Sequence, residues 1–266
     1  MRIRPPAVAG LFYPDDPALL RAGVGAALER ARRAGQDRAA DGRLKGVIAP
    51  HAGYVYSGPV AASAYAQVET GREVIRRVVL AGPAHRVPLD AVAMSEADAF
   101  ASPLGQMEVD DELRSLALSL PQVVVSDEAH AREHSLEVHL PFLQVALGEV
   151  TVLPILVGRM PAEAAADALE AVFGGPETLV VVSTDLSHYS DYDTASVLDQ
   201  ATAAAIVACQ PALVGVDRAC GAFAVRGLLA CARRHDLSVE LLDLRNSGDT
   251  AGPRDQVVGY GSFVLS

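Results

Sequence analysis

The sequence predicts an α/β protein with a mostly parallel sheet and helices on both faces, and three observations lead there. Short apolar runs bounded by breakers alternate with helix-like patterns along nearly the whole chain. Three of those runs each deliver a histidine just past their ends. The runs at 47–49, 78–81 and 179–182 lead into Pro50-His51, Gly82-Pro83-Ala84-His85 and Ser183-Thr184-Asp185-Leu186-Ser187-His188. In open α/β sheets, ligand sites collect outside the carboxyl ends of strands. The chain is therefore expected to be organised around the point where those histidines meet. Finally, 266 residues, half of them apolar and 21% charged, can bury a full core. We expect one domain, residues 1–266.

The elements follow in order. Residues 9–14 read as irregular chain carrying two aromatics. Asp16 is placed to cap a helix with Pro17 in its first turn. Leu20, Val24, Ala27, Leu28 and Ala31 form its apolar stripe, and Gly35 ends it. Residues 36–44 read as a polar surface loop. Strand 45–49 and the His51 turn precede a short helix of small residues at 59–68. Strand 76–81 leads to His85, followed by a strand at 91–94, a turn at 102–105, a helix at 110–120 and a strand at 123–125. Leucines at 136, 140, 143 and 147 have helical spacing over 133–147, with Pro141 kinking that helix or starting a fresh one. Strand 150–157, helix 161–173, strand 178–183, helices at 194–208 and 223–232, and closing strands at 239–244 and 256–265 complete the chain.

Twenty-two basic against thirty-three acidic residues give a net charge of −11. That argues against non-specific nucleic-acid or anionic-membrane binding, which needs clustered positive charge. No apolar run reaches the ~18 residues of a membrane span. The start, Met1-Arg2-Ile3-Arg4-Pro5-Pro6, lacks the apolar core of a signal peptide, so a cytoplasmic location is expected. Three cysteines, Cys209, Cys220 and Cys231, make no disulfide framework.

Single histidines after strands are usually structural hydrogen-bonders, but three at equivalent positions point to a histidine-rich ligand set. Glu133-His134-Ser135-Leu136-Glu137-Val138-His139 is not a zincin motif, whose histidines are spaced to share one helix face. His134 and Glu137 read either as supports behind a site or as caps and solvated residues. Asp185 is near enough to orient His188 as a general base, or to cap the next helix. Cys220 precedes a helix and reads either as a thiol with a pKa lowered below ~8.5 or as a small buried hydrophobe. His130 and His235 read as solvated. There is no Gly-x-Ser-x-Gly elbow, phosphate loop or Gly-x-Gly-x-x-Gly.

Six ordered motifs then carry a resemblance. They are Gly10-Leu11-Phe12-Tyr13-Pro14, Ala49-Pro50-His51-Ala52-Gly53-Tyr54, Gly82-Pro83-Ala84-His85, Glu133 through Pro141, Ser183 through His188, and Cys220-Gly221. The chain resembles the Memo family, whose prokaryotic members are the B component of the AmmeMemoRadiSam system. That family is similar to the class III extradiol ring-cleaving dioxygenases, non-haem iron enzymes with a three-layer α/β/α fold and a mixed, mostly parallel central sheet. The resemblance implies that His51 and His85 are metal ligands and that Cys220 is the third, where the dioxygenases use a glutamate. It implies His188 as the acid–base residue and Phe12 beside the pocket; on the residue reading, Asp185 would fix the His188 tautomer, with Tyr54, His134 and Glu137 as the further pocket candidates. Phe12 stands where animal members carry a tryptophan. One metal ion is expected, iron or copper first and zinc next, because a thiolate ligand favours softer ions than a carboxylate does. The implied activity is metal-dependent redox or oxygen chemistry on a small substrate. The competing class is a non-catalytic metal carrier or peptide-binding module. The implied partners are a radical S-adenosylmethionine enzyme and an Amme-type domain protein.

Overall fold

A computed structural model describes residues 1–35 and 44–266, so the loop expected at 36–44 lies almost wholly outside the described residues. The chain runs β1 (Ile3–Arg4), α1 (Pro17–Arg33), β2 (Gly46–Ala49), α2 (Tyr54–Thr70), β3 (Arg77–Gly82), β4 (Val92–Met94), β5 (Ala99–Ser102), β6 (Gly105–Glu108), α3 (Asp111–Leu118), β7 (Val123–Val125), α4 (Asp127–Ala131) and α5 (Leu140–Ala146). It continues through β8 (Thr151–Val157), α6 (Ala162–Glu170), β9 (Thr178–Ser183), β10 (His188–Ser190), α7 (Tyr192–Val207), α8 (Ala222–Arg234), β11 (Val239–Asn246) and β12 (Val257–Leu265).

A nine-stranded mixed sheet takes the order β10-β12-β2-β9-β3-β8-β4-β7, with β11 also on β12. β2, β9, β3 and β8 run parallel at its centre. Their residues Val47, Ile48, Val78 to Leu80 and Leu179 to Val182 are inaccessible to solvent. That burial on both faces is why they read as continuous apolar runs rather than alternating ones. β12 is antiparallel to β2, and β4 is antiparallel to β8. A separate small sheet orders β1-β5-β6, and the turn expected at 102–105 closes its hairpin.

Register on β12 places the helices on opposite faces. A side chain at Gly259 would run into the Asp199 carboxylate of α7, whereas Ser262 donates a hydrogen bond to the Val60 carbonyl of α2. Strand residues alternate in direction, so α7 and α2 cover different sides. α1 and α5 pack with α2, and α6 packs with α8. This is the expected three-layer α/β/α arrangement.

Most boundaries fall where the sequence put them. Asp16 caps α1, whose buried residues are the five of the predicted stripe. Two differences matter for the site. α2 begins at Tyr54 rather than Pro59, because the Tyr54 amide donates to the Phe12 carbonyl at 2.7 Å and Gly53 accepts from Ser57. An anchored first turn thus outweighs the proline inside the helix. The helix expected over 133–147 is helical only from Glu137 onward, and Pro141 sits in the first turn of α5. The reason is local: Glu133 accepts the backbone amides of His134 and Ser135, each at 2.9 Å, which diverts that stretch from helical bonding.

Candidate metal centre

β9 lies between β2 and β3, so the carboxyl ends of these three strands are adjacent. His51 leaves β2, Ser183 to Asp185 leave β9, and His85 leaves β3. His51 is buried. Its amide donates to Asp185 Oδ1 at 2.8 Å, and its Nδ1 lies 2.6 Å from Ser183 Oγ. The Ser183 hydroxyl spends its only proton on the Ser135 carbonyl, 2.7 Å away, so it accepts from His51 Nδ1. Nε2 is therefore the unprotonated nitrogen, and it faces the Cys220 thiol within hydrogen-bond distance, 3.3 Å away.

His85 is fixed in the same way by a different acceptor. Its amide and Nδ1 meet the two oxygens of Glu133 at 2.6 and 2.8 Å. Burial alone would raise the Glu133 pKa, yet the hydrogen bonds and the nearby His85 ring hold it at about 2. An ionised carboxylate only accepts, so Nδ1 donates to Glu133 and Nε2 is the nitrogen left to face another partner. Ser183 and Glu133 thus perform the orienting job that metal-bound imidazoles require. Neither was assigned that role from sequence. The available signal was that each imidazole at such a site needs an acceptor for its second nitrogen, and Glu133 sits inside the conspicuous 133–141 motif.

His134 completes a cluster. Its ring stacks on His85 with centroids 4.7 Å apart and touches Phe12 at 4.8 Å. One ring nitrogen from each of His51, His85 and His134 lies within 4.8 Å of the others. His134 Nδ1 is buried and makes no hydrogen bond, though Glu133 Oε1 is 3.3 Å away. Burial, followed by the neighbouring imidazoles, holds the His51 pKa well below its ordinary value, and burial takes His134 to about 4. Both rings are neutral at pH 7, which is the form that binds metal.

The remaining candidates divide. His51, His85, His134, Asp185, His188 and Cys220 all line one open cavity of ≈460 Å³, with Arg86, Tyr189 and Asp217 also in its wall. His188 is exposed there, and the Asp185 carboxylate is turned away from it. Asp185 is instead tied to the His51 and Ala52 amides, and burial raises its pKa to about 7. The expectation that Asp185 fixes the His188 tautomer is thus corrected, because the loop turns its carboxylate back onto β2. The lowered thiol pKa is corrected too. Cys220 precedes the N-cap Gly221, and burial together with the Asp185 charge pushes the thiol up to about 12.

Phe12 and Tyr54 line a neighbouring cavity of ≈620 Å³, and Phe12 reaches the cluster only through its contact with His134. Tyr54 donates its hydroxyl to the Val138 carbonyl. Glu137 is committed elsewhere. It pairs with Arg4 and accepts from the Ala7 and Val8 amides and the Tyr13 hydroxyl at 2.6–2.9 Å, strapping the N-terminal segment down. His130, expected to be solvated, is buried with Nε2 on the Ala93 carbonyl, whereas His235 stays half-exposed beside Glu170. Two oriented imidazoles, a third buried ring nitrogen without a hydrogen bond and a nearby thiol form a donor set suited to a transition metal.

Fold and pocket together define an α/β/α protein that gathers imidazoles at the carboxyl ends of parallel strands. Residues 4–264 match the family model described as Memo-like protein. MEMO1 family proteins of Methanothermobacter thermautotrophicus and Methanopyrus kandleri are 36% and 37% identical, with 97% and 98% of this chain and 98% of each relative covered. One from Aquifex aeolicus is 34% identical with both chains covered end to end. The chain belongs to the Memo family. An uncharacterized protein of Escherichia coli K12, 13% identical, shares the fold with a TM-score of 0.55 over 84% of this chain and 100% of its own. Among the described residues, no helix is long and apolar enough to cross a membrane.

Proposed function

We propose that this Memo-family protein carries out metal-dependent redox or oxygen chemistry on a small substrate, with His51, His85 and Cys220 holding the metal. One observation carries the reading. Nδ1 of His51 and of His85 is taken up by Ser183 and Glu133, which leaves Nε2 of each as the nitrogen available to a ligand in the open cavity, that of His51 beside the Cys220 sulfur. Catalytic metal sites keep such an open side, whereas structural sites are closed by protein ligands. Iron or copper bound there would supply Lewis acidity and one-electron chemistry; zinc would supply Lewis acidity alone.

The chain's own groups supply the rest. His188, in the cavity wall, is positioned to take or return a proton at a ring nitrogen. Asp185, with a pKa near neutrality, holds a second exchangeable proton beside His51. We also propose a radical S-adenosylmethionine enzyme and an Amme-type domain protein as working partners, on the strength of family membership. The test is to load purified protein anaerobically with ferrous or cuprous ion, admit dioxygen and follow its uptake against a free-metal control. Uptake above the control is expected, falling by roughly 10²–10⁴ in His188→Gln with metal content unchanged. Stoichiometric metal with no uptake would leave a carrier in place of an enzyme.

A further inference from the structure

The metal-site reading needs a third ligand beside His51 and His85, and two side chains are within reach of that role. The Cys220 sulfur lies 3.3 Å from His51 Nε2. A sulfur and a nitrogen bound to one ion at ordinary lengths are separated by roughly 3.1–3.6 Å. That edge of the site already has ligation spacing. His134 offers the other option. Its ring nitrogen shares a 4.8 Å envelope with those of His51 and His85, somewhat wider than the roughly 3.4 Å edge of a tetrahedral nitrogen set. Its Nδ1 is buried without a hydrogen bond, the Glu133 carboxylate standing 3.3 Å off, a condition that native interiors rarely leave unexplained. Contacts with His85 and Phe12 hold the plane of the ring without bonding either nitrogen.

We infer that the pocket carries two interchangeable third ligands: His134 for ions that favour imidazole and Cys220 for ions that favour sulfur. The inference rests on the metal-site reading above and adds a selection rule to it. Thiolate favours cuprous ion, whereas imidazole suits harder divalent ions such as cobalt, with zinc accepting either donor. Both donors are held in place by their own main chains. The Cys220 and Asp185 segments exchange contacts at 3.2 Å, and the His134 amide is bound by Glu133 at 2.9 Å. A change of third ligand therefore requires side-chain movement only.

The test uses the full-length protein, wild type beside His134→Ala and Cys220→Ser, with His134→Asn and Cys220→Ala as companions should either first choice fold poorly. Each is loaded anaerobically with Co(II) alone or Cu(I) alone. Affinity is read by chelator competition, and sulfur ligation by the sulfur-to-cobalt charge-transfer band. His134→Ala is expected to weaken Co(II) at least tenfold while leaving Cu(I) within about threefold, with Cys220→Ser doing the reverse, since loss of a ligand costs no less than the roughly 10–100-fold of a lost supporting group. The wild-type cobalt protein should lack the sulfur band. Equal weakening of both metals in both variants would overturn the inference in favour of one fixed donor set. An unchanged Co(II) affinity in His134→Ala, or a sulfur band in wild type, would also overturn it, and in all these cases the metal site itself would stand. If wild type binds neither ion at one per chain, the metal-site reading falls and this inference falls with it.

Discussion

Glu133 and Glu137 lie on the same connection into α5, and both carboxylates are almost completely buried, yet they serve different ends. Glu137 spends its oxygens on Arg4, two backbone amides and the Tyr13 hydroxyl, so it holds one part of the fold to another. Glu133 spends its oxygens on the His85 amide and ring and on the turn that follows, so it fixes the direction of an imidazole. What surrounds the carboxylate sets its role: a buried guanidinium makes it a clamp, and a titratable ring facing a cavity makes it an orienting group.

Glu137→Ala should break this contrast most visibly. It leaves the Arg4 guanidinium buried and uncompensated, a loss of about 3–5 kcal/mol. Thermal denaturation should show Tm falling by roughly 10 °C or more. If metal affinity were lost and Tm unchanged, the two roles would be exchanged. Glu133→Gln should weaken metal binding by roughly 10–100-fold with a smaller loss of stability, read by metal titration and melting of the same samples.

The pH dependence sharpens the contrast. The native Glu133 pKa, about 2, lies below its ordinary 4.5. The folded state therefore prefers the ionised form. Its contribution is complete above pH 4.5 and is lost as pH falls toward 2, by up to about 3 kcal/mol. Metal-free Glu133→Gln should show a shallower decline across that window in urea melts, and parallel curves would refute the assignment. Cys220 should behave as a resting thiol: with Cys209 and Cys231 replaced, its alkylation in metal-free protein should accelerate only well above pH 9, given burial and Asp185. A midpoint near neutrality would restore the thiolate expectation. The smallest stability change belongs to His188→Gln, within ~0.5 kcal/mol, because the exposed residue supports neither carboxylate.

Much of the fold could be read from residue patterns because its central strands are apolar on both sides and end in proline, glycine or histidine. The capping of α1 and the spans of β7 and β9 depended on such local signals. β1 has only two residues, and β5 and β6, Ala-Phe-Ala-Ser and Gly-Gln-Met-Glu, lack the run of apolar β-formers that marked β7. At the site, His51, His85, His188, Asp185 and Cys220 were legible from their motifs, and all five line one cavity. The hydrogen-bond partners were not. Whether Asp185 faces His188 or His51 depends on how the loop after β9 turns, and whether Glu133 or Glu137 faces the pocket depends on where a non-helical turn ends. Both are settled by contacts distant in sequence, which spacing alone does not encode.

The position of β9 between β2 and β3 also sets an order of assembly. His51 and His85 are made early, but the strand that joins their lanes arrives late: Asp185 follows His51 by 134 residues and Cys220 follows it by 169. While the ribosome is still producing the middle of the chain, the two imidazoles have no common frame, and an ion meeting them finds only flexible side chains. Contacts of such long sequence separation form slowly. The pocket is therefore complete only once β9 and the Cys220 turn have both been made, and a metal held as proposed would be drawn from the supply present after that point.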